Sequence, residues 1–397
     1  MKPKVSIIIP VYNGSNYLQQ AIDSALAQTY ENIEIVVVND GSDDNKATRE
    51  VALRYGDRIR YFEKENGGTS SALNYGIQRM TGEYFAWLSH DDVYLPERIK
   101  RHMDAILESG DKLAPVYSKY VRWIDSKELY APNQSYNYDI KLYQSGLTAV
   151  VLGLIDGLSL TFHKSYFDEN GLFDESLRTT QDYMKWFEMF HGKRMIYLDE
   201  HLAKNRVHEE QQGRRISTVW EKESDKLYSR VMGEFRDEDL AASGMDLYTF
   251  LGLAVLRFES LGRYGAAKIA ETRLLNVEVS DGQEQRKKLQ EVIKPQRETI
   301  TLYCIGKRGR ALLKGLYLRG IKVDYISDKS SQLDYTNTYG ATVIRPEDIP
   351  YDSKVIITKD RPDEIVDEFI QKGYRNVSTY DEIINSVMMT PIDKCKL

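Results

Sequence analysis

The chain has 397 residues, enough for one to three domains and a sizeable core. Its 54 basic and 60 acidic side chains leave a net charge of −6, which excludes the basic footprint of a nucleic-acid binder. Cys304 and Cys395 are too far apart for a disulfide framework or a cysteine metal site, and no apolar run approaches membrane-spanning length. The start, Met1-Lys2-Pro3-Lys4-Val5, lacks the apolar core of a signal peptide, so the expected location is the cytoplasm.

Val5 to Ile9 is a β-branched run closed by Pro10, the pattern of a buried parallel strand, and the turn Val11-Tyr12-Asn13-Gly14 follows it. A helix is predicted from Ser15 or Asn16, with Leu18, Ala21, Ile22, Ala25 and Leu26 on one face. Ile33 to Val38 is a second buried strand that delivers Asn39-Asp40-Gly41-Ser42 at its carboxyl end. A helix, a strand over Arg58–Phe62, a turn at Asn66-Gly67-Gly68 and a helix from about Ser70 then lead to the apolar run Tyr84–Leu88.

That run stops at His90-Asp91-Asp92, ahead of a helix signalled by Pro96. Unpaired charge is costly to desolvate, so two adjacent carboxylates here suit a hard cation such as Mg²⁺ or Mn²⁺, which shares carboxylate oxygens with substrate phosphates. Capping of the following helix is the alternative reading of the same pair. The β-α-β-α rhythm predicts a parallel sheet with helices on its faces, and ligands sit outside the carboxyl ends of such strands. Tyr12, Asp40 and Asp91 all fall at that edge.

Pro10-Val11-Tyr12-Asn13, Asn39-Asp40-Gly41-Ser42, Asn66-Gly67 with Ala72, Asn74 and Gly76, and Gly82-Glu83-Tyr84 with Asp91-Asp92 stand in a distinctive order. In that order and spacing, residues 4 to 210 resemble the family 2 glycosyltransferases. The resemblance implies an α/β chain with the mixed sheet of the GT-A, nucleotide-diphospho-sugar transferase fold. It also implies that Tyr12 lies against the nucleobase and that Asp40 hydrogen-bonds it. Pro10, Val11, Asn13, Asn66, Gly67, Ser70 and His90 complete the expected nucleotide site. Asp91, joined by Asp92, is the expected holder of a divalent cation, Mn²⁺ or Mg²⁺, on the donor diphosphate. Two positions depart from the family pattern: Ser89 stands where an acid is usual, and Leu73 where an Arg commonly precedes the Asn.

Val116, Tyr117, Tyr120, Val121, Trp123 and Ile124 read as a mixed-sheet strand, and the polar loop Tyr130 to Tyr143 as a place for an acceptor sugar to stack or a plain surface excursion. Gly157 to Phe162 returns as a strand. Gly171-Leu172-Phe173-Asp174-Glu175, then Gln181-Asp182, resembles the family's Gly-x-Phe-Asp-Glu turn and Glu-Asp helix start, with Gln181 in place of Glu. The match makes Asp182 the candidate catalytic base; a helix cap is the alternative. Arg206-Val207-His208 resembles the family's Arg-x-His element, which gives His208 a place on the metal or diphosphate and Arg206 a place beside phosphate oxygens.

From Ser217 the pattern is helical, with Trp220, Leu227 and Val231 marking one helix, Leu247–Leu261 a buried one, Tyr264–Leu275 another, and Ser280–Glu298 a helix or linker. Thr299–Ile305, Ala311–Leu318 and Ile321–Ile326 then form a second β-α-β unit, and strands at Lys354–Thr358 and Asn376–Tyr380 flank a helix at Asp363–Gln371. Asp328 follows Gly306 by about 20 residues, the spacing of a ribose-binding acid, but only two of three fingerprint glycines are present. This module resembles the Rossmann-like accessory domains of some polysaccharide-biosynthesis proteins, and a degenerate fold kept for packing or partner contact is preferred to a dinucleotide site. The expected domains are 1–215, 216–298 and 299–397.

The resulting expectation is an inverting, metal-dependent transferase. It moves a hexose or N-acetylhexosamine from a nucleoside-diphosphate sugar, with uridine favoured, to a hydroxyl of a saccharide, lipid-linked saccharide or protein. Cell-surface polysaccharide or glycoconjugate synthesis is the expected setting. Peripheral association with the inner face of the membrane and oligomerisation stay open. The alternatives are a non-catalytic nucleotide-sugar scaffold, and a sugar nucleotidyltransferase, whose basic Gly-rich loop Val11-Tyr12-Asn13-Gly14 does not supply.

Overall fold

The β-branched runs near the start form strands because their side chains can be buried on both faces of a parallel sheet. The computed structural model describes residues 2–124, 127–130, 138–208, 217–277, 282–293, 299–329, 338–359, 362–393 and 396. In it β1 (Val5–Val11) is buried along its whole length between β2 (Ile33–Asp40) and β4 (Tyr84–Trp87), both parallel to it. β3 (Arg60–Lys64) extends this parallel half beyond β2. The other half is mixed, built from β5 (Val93–Tyr94), β6 (Val116–Ile124), β7 (Lys127–Tyr130), β8 (Leu160–His163) and β9 (Ile196–Val207). The order across the sheet is β3-β2-β1-β4-β8-β6-β9-β5, with β7 paired to β6.

Several strand ends differ from the sequence expectation by a few residues, and two of the differences have a local reason. β1 runs through Pro10 to Val11: its ladder with β4 stops at Ile8↔Trp87, so the N–H that proline lacks falls where that ladder has ended. Gly157–Ser159 is a 3₁₀ turn and not a strand start, because Asp156 and Ser159 form a reciprocal capping box around it. The turn is held from below by Arg98, fully buried, whose guanidinium donates to Leu158 O (3.1 Å) and Leu160 O (2.9 Å) and lies 3.9 Å from the Tyr94 ring.

The chain divides into two compact units, Met1–Ser135 with Ile140–Leu227 and Glu238–Ser243, and Tyr136–Asp139 with Tyr228–Asp237 and Gly244–Leu397. The second unit carries a wholly parallel sheet of β10 (Ile300–Tyr303), β11 (Tyr325–Ser327), β12 (Thr342–Val343), β13 (Lys354–Ile357) and β14 (Val377–Thr379), in the order β12-β11-β10-β13-β14. Its Leu247–Leu261 helix is buried nearly all round and starts at Asp246, whose carboxylate accepts from Thr249 N (2.9 Å). No described helix is long and apolar enough to cross a membrane. A helix at Tyr380–Met388 follows β14, opened by a capping box between Thr379 and Glu382. Trp220 is exposed and so does not share the buried face that Leu227 and Val231 form.

Candidate active site

The turns after β1 and β2 are sewn together by short polar side chains. Asn13, in the left-handed region at φ 49°, donates its N–H to Ser42 Oγ (2.9 Å), and its amide group pairs with Asp43 in both directions (2.5 and 2.9 Å). Tyr12 donates weakly to Asp43 (3.3 Å) and leaves 44% of itself exposed, a free aromatic face at the sheet's carboxyl edge. Pro10 and Val11 are buried in β1 and hold this turn from beneath. A Cβ on Gly14 would stand 2.3 Å from His90 Cδ2, so the imidazole of His90 occupies the space a side chain there would need. Burial holds the His90 pKa below its usual range against the pull of Asp91, favouring the neutral ring.

Asp40 is buried and accepts from Lys64 Nζ (2.8 Å), Gly67 N (3.1 Å) and Gly68 N (2.7 Å), while Asn66 Nδ2 donates to its carbonyl (3.0 Å). A carboxylate offers about four acceptor positions, so these three donors leave one. Ser70, in the Gly68–Ile77 helix, has a buried hydroxyl without a hydrogen-bond partner among the described residues, and Trp87 Nε1 and Gln181 Oε1 are likewise buried without one.

The two adjacent acids do different work. Asp91 Oδ2 lies 3.0 Å from His208 Nε2. Asp92 accepts from Arg206 N (2.9 Å) and Asn205 Nδ2 (3.1 Å), tying the end of β9 to the end of β4. Burial, then the charges of Asp91 and Asp156, pushes the Asp92 carboxyl well above the usual carboxylate range. Neither acid caps the next helix, Arg98–Ser109, whose N-cap is Glu97, which removes the capping alternative. The Arg206 guanidinium lies 4.4 Å from the Tyr17 ring and 4.1 Å from Trp123, and donates to Asp91 O (2.9 Å) and to Gln20. It therefore braces Asp91 from behind.

Among the described residues no group of three or more His, Cys, Asp or Glu side chains is arranged to hold a metal ion. Asp91 and His208, 3.0 Å apart, offer one oxygen and one nitrogen donor of the kinds that would suit such an ion.

Asp182 is the second residue of the Gln181–Phe190 helix and accepts from Tyr183 N (2.8 Å). Burial, reinforced by the charge of Asp156 and opposed by that N–H, pushes its carboxyl up to about 7. The N-cap is Thr180, not Asp182. The preceding turn is locked by Asn74, which exchanges hydrogen bonds with the backbone of Phe173 (2.9 Å each way) and donates to Glu175 Oε1 (2.9 Å). Tyr183 OH donates to Ile155 O (2.6 Å), fastening this helix to the loop that carries Asp156.

Asp156 was not among the sequence candidates. It accepts from Leu158 N (2.9 Å) and from the Tyr120 hydroxyl, and its charge reaches both Asp92 and Asp182. The capping pattern Asp156-Gly157-Leu158-Ser159 was its one local signal. Of the tyrosine-rich loop considered for an acceptor, 131–137 lie outside the described residues, and Tyr143 is buried with its ring stacked 4.3 Å from Tyr197.

A family model described as glycosyl transferase family 2 matches residues 6–166. An uncharacterized glycosyltransferase of Rickettsia typhi is 42% identical over 270 residues, which cover 68% of this chain and 84% of the relative. One from Rickettsia felis is 47% identical over 256 residues, 63% of this chain and 41% of the relative. The chain spans about two-fifths of the length of that relative and of its counterpart in Rickettsia conorii, 41% in each case. The crystal structure of S. aureus TarS 1–349 in complex with UDP matches with a TM-score of 0.50 and 18% identity, over 79% of this chain and 84% of that one, a likeness of fold.

Proposed function

Because this chain belongs to glycosyl transferase family 2, we propose that it moves a sugar from a nucleoside-diphosphate sugar to an acceptor hydroxyl, with inversion at the anomeric carbon. Its first sheet is that of the GT-A fold. The observation that carries the reading is the Asp182 carboxyl, half-buried at a rigid helix start and pushed up to about 7. A base with a pKa near the working pH is about half ionised and still strongly basic, and contributes about 10²–10⁴-fold.

In this reading Asp182 takes the proton of the acceptor hydroxyl. The acceptor oxygen bonds to the anomeric carbon on the face opposite the diphosphate, and the bond from that carbon to the diphosphate oxygen breaks with its electron pair on the leaving group. Asp91 and His208 would hold a divalent cation, Mn²⁺ or Mg²⁺, which when bound supplies positive charge to the leaving diphosphate. Asp92 is assigned to holding the end of β9 in place, through Arg206 N and Asn205. Tyr12 faces the base, and the acceptor position left on Asp40 suits a base N–H. Asn13, Asn66, Gly67, Ser70 and His90 line the rest of the nucleotide, with Pro10 and Val11 beneath. Buried polar atoms without partners cost free energy, so Ser70 Oγ and Trp87 Nε1 are suited to donate to substrate oxygens and Gln181 Oε1 to accept from a substrate hydroxyl.

The UDP in the TarS crystal supports uridine as the donor base. A hexose or N-acetylhexosamine is the proposed sugar, and a saccharide, lipid-linked saccharide or protein the proposed acceptor, in cytoplasmic synthesis of cell-surface glycans. Residues 1–215 carry the groups that touch the substrates in this proposal, 216–298 are a helical segment and linker, and 299–397 are an accessory domain. The test is nucleoside diphosphate release from a panel of UDP- and GDP-sugars in Mn²⁺ or in EDTA. Release from one uridine sugar that depends on Mn²⁺ is expected. Equal release in EDTA would remove the metal from the reading, and binding without release from any sugar would favour a scaffold.

A further inference from the structure

We propose that Glu223 is a positioning residue for the base: from the Ser217–Glu234 helix it holds the turn at residues 178–180, which sets where the helix of Asp182 begins. The inference rests on the reading of Asp182 as the base.

The Gln181–Phe190 helix starts without a cap from its own N-cap residue, since no N–H of the first turn donates to the Thr180 side chain. Glu223 supplies an anchor from another helix. Its carboxylate accepts from Arg178 N (3.2 Å), Thr179 N (2.9 Å), Thr179 Oγ1 (2.7 Å) and Thr180 Oγ1 (3.5 Å). Burial alone would raise the Glu223 carboxyl, but the Thr179 hydroxyl and the backbone N–H groups of 178–180 hold it below its usual range, as a charged acceptor. The downstream side of Asp182 is fixed separately by Tyr183 on Ile155, and the turn at 173–175 by Asn74. Glu223 alone among these contacts fastens residues 178–180, immediately upstream of the base. A base displaced by about 1 Å loses on the order of 10²-fold in rate.

The test is release of UDP, in Mn²⁺ and with water as acceptor, from the nucleotide sugar that the panel selects, well below the melting temperature. In Glu223→Ala, kcat is expected to fall about 10²-fold while the Kd for UDP stays at the wild-type value. A lower melting temperature with unchanged kcat would mean that Glu223 only stabilises the fold, and would overturn the inference. In an Asp182→Asn background, loss of Glu223 is expected to cost nothing more; a full further 10²-fold loss there would overturn it too. Asp182→Asn alone separates the two ideas, because wild-type turnover in that variant sinks the base reading, whereas an inactive Asp182→Asn beside a fully active Glu223→Ala sinks the positioning inference only. If Glu223→Ala does not fold, Glu223→Gln decides. It keeps an acceptor oxygen for Thr179 but loses the charge, so about a tenfold fall in kcat is expected, and an unchanged kcat would overturn the inference.

Discussion

Each unit of this chain has a central parallel strand flanked by two parallel neighbours, β1 by β2 and β4, and β10 by β11 and β13. Both sheets thus offer a crevice at their carboxyl ends. In the first unit the crevice is edged by side chains with capacity to spare: the exposed ring of Tyr12, one acceptor position on Asp40, and the Asp91–His208 pair. In the second, the turn after β10 is closed by its own neighbours, with Thr358 Oγ1 donating to Tyr303 O (3.1 Å) and Cys304 O (2.5 Å) and Gly306 N to Cys304 O (2.8 Å). Cys304 stands there at φ 67°, and burial pushes its thiol up to about 11, so it stays neutral. Sheet topology makes the crevice, and the groups at the strand ends decide whether it can act on a substrate.

The largest expected effect lies in the first unit. Asp182→Asn should lower sugar transfer by about 10²–10⁴-fold with UDP affinity unchanged, as read by turnover and by titration. The pH profile sharpens this. The base must be ionised, so with its carboxyl up at about 7 the wild-type kcat/KM should fall about tenfold per pH unit below that point, and Asp182→Asn should lose this acid limb. Transfer that survives the substitution would end the contrast between the units and turn attention to Asp156.

The left-handed turns give the second comparison. Gly41 has φ 69°, and a Cβ there would stand 2.6 Å from the Asn66 backbone nitrogen. Gly41→Ala should therefore cost roughly 2–4 kcal/mol in urea unfolding, from strain and overlap together, and weaken UDP binding by disturbing the turn that holds Asp40.

At the amino end of the first sheet, Glu34 is held by Ser6, Thr81, Gly82 and Arg60. Burial raises its carboxyl, but Ser6, Thr81 and Arg60 outweigh it and hold the pKa at about 2. Because the folded-state pKa is depressed, the stabilisation is complete above the usual carboxylate range and is lost as pH falls from 4.5 to about 2. Glu34→Gln should cost about 1–3 kcal/mol at neutral pH and flatten the acid limb of stability; an unchanged limb would assign acid unfolding to other carboxylates.

The smallest effect is expected in the second unit. Cys304→Gly relieves a side chain from the left-handed region and should stabilise the protein by up to about 1 kcal/mol with no change in sugar transfer. A fall in transfer would show that this turn serves the reaction and would erase the distinction drawn above.

The amino-acid sequence by itself determined the strands and what their ends carry. β-branched runs such as Val5–Ile9 and Ile33–Val38 have one stable use, burial in a parallel sheet, and the polar residues that stop them must then lie at its edge. Tyr12, Asp40 and Asp91 were legible for that reason, and the turn before Asp182 through its resemblance to the Gly-x-Phe-Asp-Glu turn of the family. Only the tertiary structure decided what each of these groups is free to do. Asp91 and Asp92 are neighbours in the chain, yet one meets His208 and the other the backbone of Arg206, 114 residues away. Burial, with the charge of Asp156 adding to it through space, raises Asp182, and Glu223 reaches residues 178–180 from 43 to 45 residues downstream. Local patterns encode which backbone groups need partners and which side chains need burial. Charge, desolvation and hydrogen bonding between distant segments depend on where the folded backbone brings them, and no local pattern carries that information.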